Sequence, residues 1–364
     1  MGVFLTVLLY FGAAIICVQV APIAYYSKHK SKRGISKAIL FGVPVLIATF
    51  RGTTGSDSLM YIQAYRGIDA AVAARWNGFE PGFIGLVKIL NNLGMPAMSL
   101  FFLMGSFTVL FFILFVENEK KYIDVKIATL IFMLDLLLFC MNGMRQGMVI
   151  TLSLYAISVY LDGRKVQSVI LVCIGTLIHI SSLITLGVIV VDFIKNSKHY
   201  RIIVALMCVV TLFFVLNRTI LGSIVSIVTN PAYAAYITAD VESDGRFLNY
   251  IMKYGPFILL IVLGIPESKK YRKMRVFILL TIIGYITLLL SLFTGTQVQR
   301  LGYNFLYLNT AVIGYCVQYD LKVERIKFKH QEIRTMVILW CVILCIWNYF
   351  IKGYNEVVPY QLFV

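Results

Sequence analysis

Charge is scarce in this chain, and acidic charge scarcest of all. Only 14% of the 364 residues are Asp, Glu, Lys or Arg, and 17 acids stand against 33 bases. Soluble domains carry about a quarter charged residues, so a water-soluble globular enzyme is excluded. Histidine is nearly missing: the four present are scattered without metal-ligand spacing. The seven cysteines (Cys17, Cys140, Cys173, Cys208, Cys316, Cys341 and Cys345) lie mostly inside apolar runs with no paired spacing. That excludes a disulfide framework. No internal repeat, low-complexity tract or soluble domain interrupts the chain, so it reads as a single integral membrane domain over residues 1–364.

What fills the sequence is apolar residues, 60% of the total, with a mean hydropathy of +0.85. Runs of roughly 20 apolar residues recur from end to end. They predict an all-α polytopic membrane protein with about 12 transmembrane helices. The spans are placed at 3–26, 36–50, 97–116, 126–141, 146–161, 166–179, 181–194, 202–217, 251–266, 276–294, 301–319 and 335–351. The first has no charge before it and KHKSKR after it, the pattern of an uncleaved anchor with an outer N-terminus. Segment 80–93, EPGFIGLVKILNNL, is helical in pattern but carries Lys88 and two asparagines. It reads as a re-entrant or interfacial half-helix within an outer loop, 51–96. A second outer loop covers 218–250 and ends in the acidic stretch TADVESDGRF.

Of the 33 lysines and arginines, 23 fall in loops 28–37, 120–126, 164–165, 195–201, 269–275 and 322–334. These loops share one side of the predicted topology, which makes that side cytoplasmic. The net charge of +16 is thus an orientation signal and a match to anionic lipid headgroups, not a nucleic-acid groove.

The other side holds few charges, in telling places. Arg51 opens RGTTGSDSLMYIQAY, Glu80 begins the half-helix, and Arg145 sits in MNGMRQGMV between two apolar runs. His179 lies in TLIHISS and Arg300 opens RLGYNF. Each has a plain reading. Arg51 and Arg300 could be interface anchors, Asp57 a helix N-cap, and Glu80 a first-turn carboxylate. His179 could be a packing histidine, and Asn142 and Gln146 a polar cap on the face of Arg145. Asp135, mid-span in FMLDLLLF, reads as a clasp between helices. Three arginines, a histidine and two carboxylates at one membrane depth are better explained together, by a shared polar cavity.

The chemistry of that cavity follows from its residue types. Arginine offers a planar fork for phosphate or pyrophosphate and stays charged where the dielectric is low. Carboxylates and an imidazole accept a proton from a hydroxyl. Tyr61, Tyr65, Tyr303, Asn142 and Gln146 suit sugar rings. The ligand class is an isoprenoid-pyrophosphate glycan, its tail in lipid and its sugars outside.

Four short patterns then carry a family resemblance: R-x₃-G-x-D-x₃-Y at Arg51, Gly55, Asp57 and Tyr61; E-x-G-F at Glu80, Gly82 and Phe83; N-x₂-R-Q at Asn142, Arg145 and Gln146; and H-x-S at His179 and Ser181. In this order they resemble the EpsG family, which belongs with the Wzy-type polysaccharide polymerases. The resemblance implies a GT-C-like membrane glycosyltransferase in the bacterial cytoplasmic membrane, multi-pass, with its active site on the extracytoplasmic side. The implied reaction joins undecaprenyl-pyrophosphate-linked oligosaccharide repeat units for capsule, exopolysaccharide or O-antigen. It needs no metal or cofactor, and implies a flippase and a chain-length regulator as partners. Arg145, Arg51 and Arg300 would stabilise the departing pyrophosphate. His179 is the preferred base, with Asp57 the other candidate, and Glu80 would orient the acceptor sugar. Asp240, Glu242 and Asp244 read as a solvated loop. A lipid-linked glycan ligase shares the chemistry with a different acceptor. A transporter or flippase of lipid-linked sugars needs polar groups throughout the membrane depth, where here only Asp135 lies deep.

Overall fold

The computed structural model describes residues 1–67, 79–194, 217, 220, 223, 246–268, 272–294, 296–318, 321–323 and 326–363. The predicted span at 202–217 and the acidic stretch of loop 218–250, with Asp240, Glu242 and Asp244, lie outside the described residues, apart from Asn217 alone and Arg246 and Phe247 at the start of a helix. The chain divides into two compact units, Met1–Ser182 with Thr310–Val364, and Leu183–Asn309.

In the first unit, the apolar runs fold as helices α1 (Val3–Tyr26), α2 (Lys30–Thr49), α3 (Ser58–Arg66), α4 (Pro81–Asn92), α5 (Met98–Glu119), α6 (Val125–Asn142), α7 (Met144–Leu161) and α8 (Lys165–Ile178). A further helix, His330–Ile351, is followed by a short tail. Among the described residues, four helices are long and apolar enough to cross a membrane: α1, α5, α6 and His330–Ile351. In α1 the reason is legible residue by residue. Ala13, Ala14, Cys17, Ala21 and Ala24 are buried at helical spacing, and such small side chains let a neighbouring backbone come close. Phe4, Leu5, Leu8, Ile15 and Ile16 are exposed, and on a helix of spanning length that face belongs to lipid.

These helices run alternately between two chemically distinct ends. At one end lie the basic loops. Lys37 pairs with Glu117 at 3.0 Å, Arg164 with Asp162 at 3.4 Å and Arg334 with Asp124 at 3.3 Å. Asp124 also starts α6, its carboxylate accepting the backbone N–H of Lys126 at 2.8 Å and of Ile127 at 3.2 Å, a normal N-cap. At the other end lie the C-termini of α2, α6 and α8, the start of α7, and the short helices α3 and α4. The segregation of lysines and arginines counted along the sequence thus reappears as a physical separation within this unit.

Two departures from regular helix bear on the packing. Phe132–Leu136 is a π-helical turn inside α6, and Ile346–Ile351 is a second one in the last helix. The wider turns bring Tyr349 to Asp135, whose carboxylate and backbone carbonyl both accept from the Tyr349 hydroxyl at 3.0 Å.

In the second unit the described helices are Gly187–Ile194, Arg246–Ser268, Arg272–Thr294 and Thr296–Leu306. The predicted span 301–319 is not one helix: it breaks at Tyr307 and Leu308, and Asn309–Cys316 continues it. Gly302 sits where a Cβ would lie 3.0 Å from the carbonyl oxygen of Gly284. Thr296–Leu306 is therefore held hard against its neighbour. Among the described residues the only strands are Leu321–Val323 and Ile326–Phe328, which pair as a small antiparallel hairpin.

Candidate functional site

The non-basic end of the first unit is built from the four sequence patterns, each supplying one structural part. Glu80 precedes Pro81, whose fixed φ suits the first position of α4. Gly82 is required by sterics: a Cβ there would lie 2.7 Å from both Cβ and the carbonyl oxygen of Leu177 in α8. This close approach lets Glu80 reach across, and its Oε1 accepts the Ile180 N–H at 2.9 Å. The other carboxylate oxygen, Oε2, pairs with Arg145 Nη1, and both side chains are only 11% exposed. Phe79 and Phe83 complete the cradle, with Arg145 Cζ 4.2 Å and 5.2 Å from their ring centroids. The arginine is therefore gripped by an anion and two π faces. Replacing Gly82 with alanine should push α4 from α8, lowering stability by about 1–3 kcal/mol. A thermal melt of the purified variant measures this.

The loop after α2 forms the second part. Gly55, at φ +95, could not carry a side chain: its Cβ would lie 2.7 Å from the Met141 carbonyl oxygen. Beside it, Asn142 Oδ1 accepts from Ser56 Oγ at 2.8 Å and from the Asp57 N–H at 2.9 Å. Asn142 thus fastens the loop bearing Asp57 to the turn that leads into Arg145. Asp57 occupies the N-cap position of α3, yet its carboxylate does not cap the helix. It is half-buried and has no hydrogen bond or ion pair to any described residue. A half-buried carboxylate without a partner bears part of the desolvation cost of a buried charge, and its loop is tied through Asn142 to the turn that leads into Arg145.

His179 follows α8 in extended conformation. Its Nδ1 accepts the Ser181 backbone N–H at 3.2 Å and lies 2.9 Å from Ser181 Oγ. A backbone N–H only donates, so Nδ1 is an acceptor and the proton of the neutral ring sits on Nε2. Gln146 is buried in the first turn of α7. Tyr61 and Tyr65, read as sugar contacts, both turn inward. The Tyr61 ring packs 6.3 Å from Phe79 and 5.9 Å from Phe83, and the Tyr65 hydroxyl donates to the Met95 carbonyl at 2.7 Å. They join Phe83, Phe101, Met104, Met144 and Met148 in the apolar core directly beneath the site.

Arg51 also turns inward, at 1% exposure. Its Nη1 donates to the carbonyls of Met141 and, at 3.3 Å, Cys140, and its guanidinium lies 4.5 Å from the Phe101 ring centroid. Burial lowers its pKa to about 10, so it is still charged at neutral pH. Arg300 and Tyr303 belong to the second unit, Arg300 exposed and Tyr303 half-buried. The Tyr303 hydroxyl accepts from Gln299 Nε2, and Gln299 Oε1 accepts from the Tyr250 hydroxyl at 2.9 Å.

One part of the site has no counterpart in the sequence reading: the tail. Gly55 N–H donates to the Glu356 carbonyl at 3.0 Å and Ser56 N–H to the Asn355 carbonyl at 3.2 Å. Asn142 Nδ2 donates to Asn355 Oδ1 at 3.3 Å, and Gln361 N–H to Thr54 Oγ1 at 2.7 Å. Asn355 and Glu356 both sit at positive φ, 63° and 51°. No motif announces these two adjacent left-handed non-glycine residues.

Together, helices of membrane-spanning length and an end cluster of buried arginine, paired and unpaired carboxylates and histidine define a helical membrane protein with a polar site at one end of its first unit. A family model described as the EpsG family matches residues 34–362, nearly the whole chain. The chain belongs to the EpsG family, a family of Wzy-like polysaccharide polymerases. No curated protein and no solved structure matches it.

Proposed function

We propose that this protein joins lipid-linked oligosaccharide repeat units, using an undecaprenyl-pyrophosphate-bound glycan as donor at the extracytoplasmic face of the bacterial cytoplasmic membrane. The observation that supports this most is the Arg145–Glu80 pair: a cation oriented by a carboxylate and two aromatic rings, at the end of a helical bundle remote from the basic loops. A fixed guanidinium at that depth suits a pyrophosphate whose lipid tail lies in the bilayer.

In the proposed reaction the acceptor hydroxyl oxygen bonds to the donor's anomeric carbon as the bond from that carbon to the pyrophosphate oxygen breaks. Arg145 stabilises the charge gathering on the pyrophosphate. The proton of the hydroxyl passes to a base, and undecaprenyl pyrophosphate departs. Of the candidate bases, Glu80 is engaged with Arg145 and Ile180, and His179 directs its lone pair at Ser181. Asp57 is the carboxylate left unengaged, so we assign the base to Asp57. His179, protonated on Nε2, is assigned to donation toward the substrate. Glu80 serves as the positioning residue for Arg145, and Asn142 as that for the Asp57 loop.

Asp57→Asn should lower the rate by a factor of about 10²–10⁴ without weakening donor binding, measured as turnover against binding of a labelled lipid-linked unit. A wild-type rate in Asp57→Asn would move the base elsewhere. For the function itself, the test is stoichiometry. Each new glycosidic bond should release one undecaprenyl pyrophosphate, and bond formation without lipid release would sink the reading.

A further inference from the structure

Glu356 is strained and exposed, and its contacts within the protein do not account for either. Its backbone is left-handed, at φ 51°, a conformation that suits glycine and disfavours a glutamate. Its side chain is exposed, and its carboxylate has no hydrogen bond or ion pair to any described residue. Its neighbours in the turn are accounted for. Gly353, at φ 63°, has no side chain to strain, and Asn355, also at 63°, accepts from Asn142 Nδ2 at 3.3 Å. A strained residue whose side chain does nothing for the fold points to something bound there.

The position of the turn says what that is. The carbonyls of Asn355 and Glu356 accept the N–H groups of Ser56 and Gly55 at 3.2 and 3.0 Å, so the turn lies against the two residues before Asp57. Around it the rim is polar and exposed. Thr53 and Ser56 contribute hydroxyls, Gln361 an amide that accepts from Thr53 Oγ1, and Tyr354 a ring, the residue being 41% exposed. Hydroxyls, an amide, a carboxylate and an aromatic face are the groups that hold a sugar. Charge then separates donor from acceptor. A pyrophosphate belongs with Arg145; a second carboxylate beside Asp57 repels it and instead accepts from neutral hydroxyls.

We propose that the tail turn is the acceptor-sugar subsite, where the Glu356 carboxylate accepts hydrogen bonds from hydroxyls on the terminal sugar of the incoming repeat unit. The reacting hydroxyl of that sugar is thereby presented to Asp57. The subsite rests on the glycosyl-transfer reading above, and Glu356 binds the sugar without exchanging a proton.

The test uses the purified full-length protein and the free repeat-unit oligosaccharide, released by mild acid from the lipid-linked pool. That probe keeps the accepting end and lacks the pyrophosphate and the lipid, so it reports the acceptor side alone. In a titration followed by saturation-transfer NMR it should bind wild type, and bind Glu356→Gly about 10–100-fold more weakly, the loss of a hydrogen bond to a charged group. Glu356→Gln, which keeps an oxygen acceptor without the charge, should fall between. Glu356→Gly should melt no lower than wild type, because relief of the left-handed backbone offsets the freedom that glycine adds to the unfolded chain. With the oligosaccharide as acceptor, its KM should rise while kcat holds. No binding to wild type, equal binding by Glu356→Gly, or a Glu356→Gly variant that melts well below wild type would overturn the proposal. Sugar bound through Glu356 with no bond formed from a lipid-linked donor would support the subsite and sink the proposed reaction.

Discussion

Replacing Arg145 with alanine should lower the polymerisation rate by about 10²–10³-fold, the usual result of losing one preorganised donor to developing negative charge. The substitution also leaves Glu80 at 11% exposure without its cation, so part of any loss would reflect damaged folding. A double variant separates the two. In Arg145→Ala with Glu80→Gln, the unpaired charge is gone while the amide oxygen still accepts the Ile180 N–H. Stability should return toward wild type, and activity should not. Recovery of activity in the double variant would show that the arginine merely holds the helices together. Arg145→Lys should fall between, because an ammonium keeps the charge but loses the planar fork and its stacking on Phe79 and Phe83.

Removing residues 353–364 should abolish activity and destabilise the first unit more than any single substitution proposed above. The tail buries Val357 and Tyr360, worth about 1.5–3 kcal/mol for a fully buried large apolar side chain. It also contributes a network of hydrogen bonds, each worth about 1 kcal/mol net. Tyr10 hydroxyl donates to the Val357 carbonyl at 2.7 Å, Tyr360 hydroxyl to the Ile47 carbonyl at 2.8 Å, and Phe363 N–H to the Phe50 carbonyl at 3.0 Å. Summed, these approach the whole stability of an ordinary domain. Removal also strips the Glu356 and Asn355 carbonyls from Gly55 and Ser56, and with them the support of Asp57. Tyr360→Phe tests the graded version: it deletes one hydrogen bond and should lower stability by about 1 kcal/mol while activity persists. Full activity after the deletion would refute the tail's place in the site.

The two halves of the site were unequally legible in the sequence. Apolar run length set helix ends closely: the predicted span 3–26 is α1, and 146–161 lies within α7. The short patterns marked Glu80 and Arg145, which pair, Asn142, which holds the Asp57 loop, and His179, next to the Ile180 N–H that Glu80 accepts, because each combines a polar side chain with a helix end. Where a side chain points at such an end could not be read. Arg51 reads as a pyrophosphate ligand and Tyr61 as a sugar contact, and the structure turns both side chains toward the apolar cluster around Phe83 and Phe101. The tail was invisible for a different reason. Its contacts run mostly through backbone carbonyls, which every residue owns, and its left-handed turn is made by Asn355 and Glu356 rather than by glycine. The break at Tyr307 and Leu308 has no proline to mark it, only Asn309 and Thr310 directly after it.

The most direct test supplies the purified protein with one synthetic undecaprenyl-pyrophosphate-linked repeat unit and resolves the products by gel and mass spectrometry, with and without chelator. The account predicts a ladder of integer multiples of the repeat, unchanged by chelator and formed about 10²–10³-fold more slowly by Arg145→Ala. A single transfer product, no new glycosidic bond, or a ladder undiminished in Arg145→Ala would contradict it.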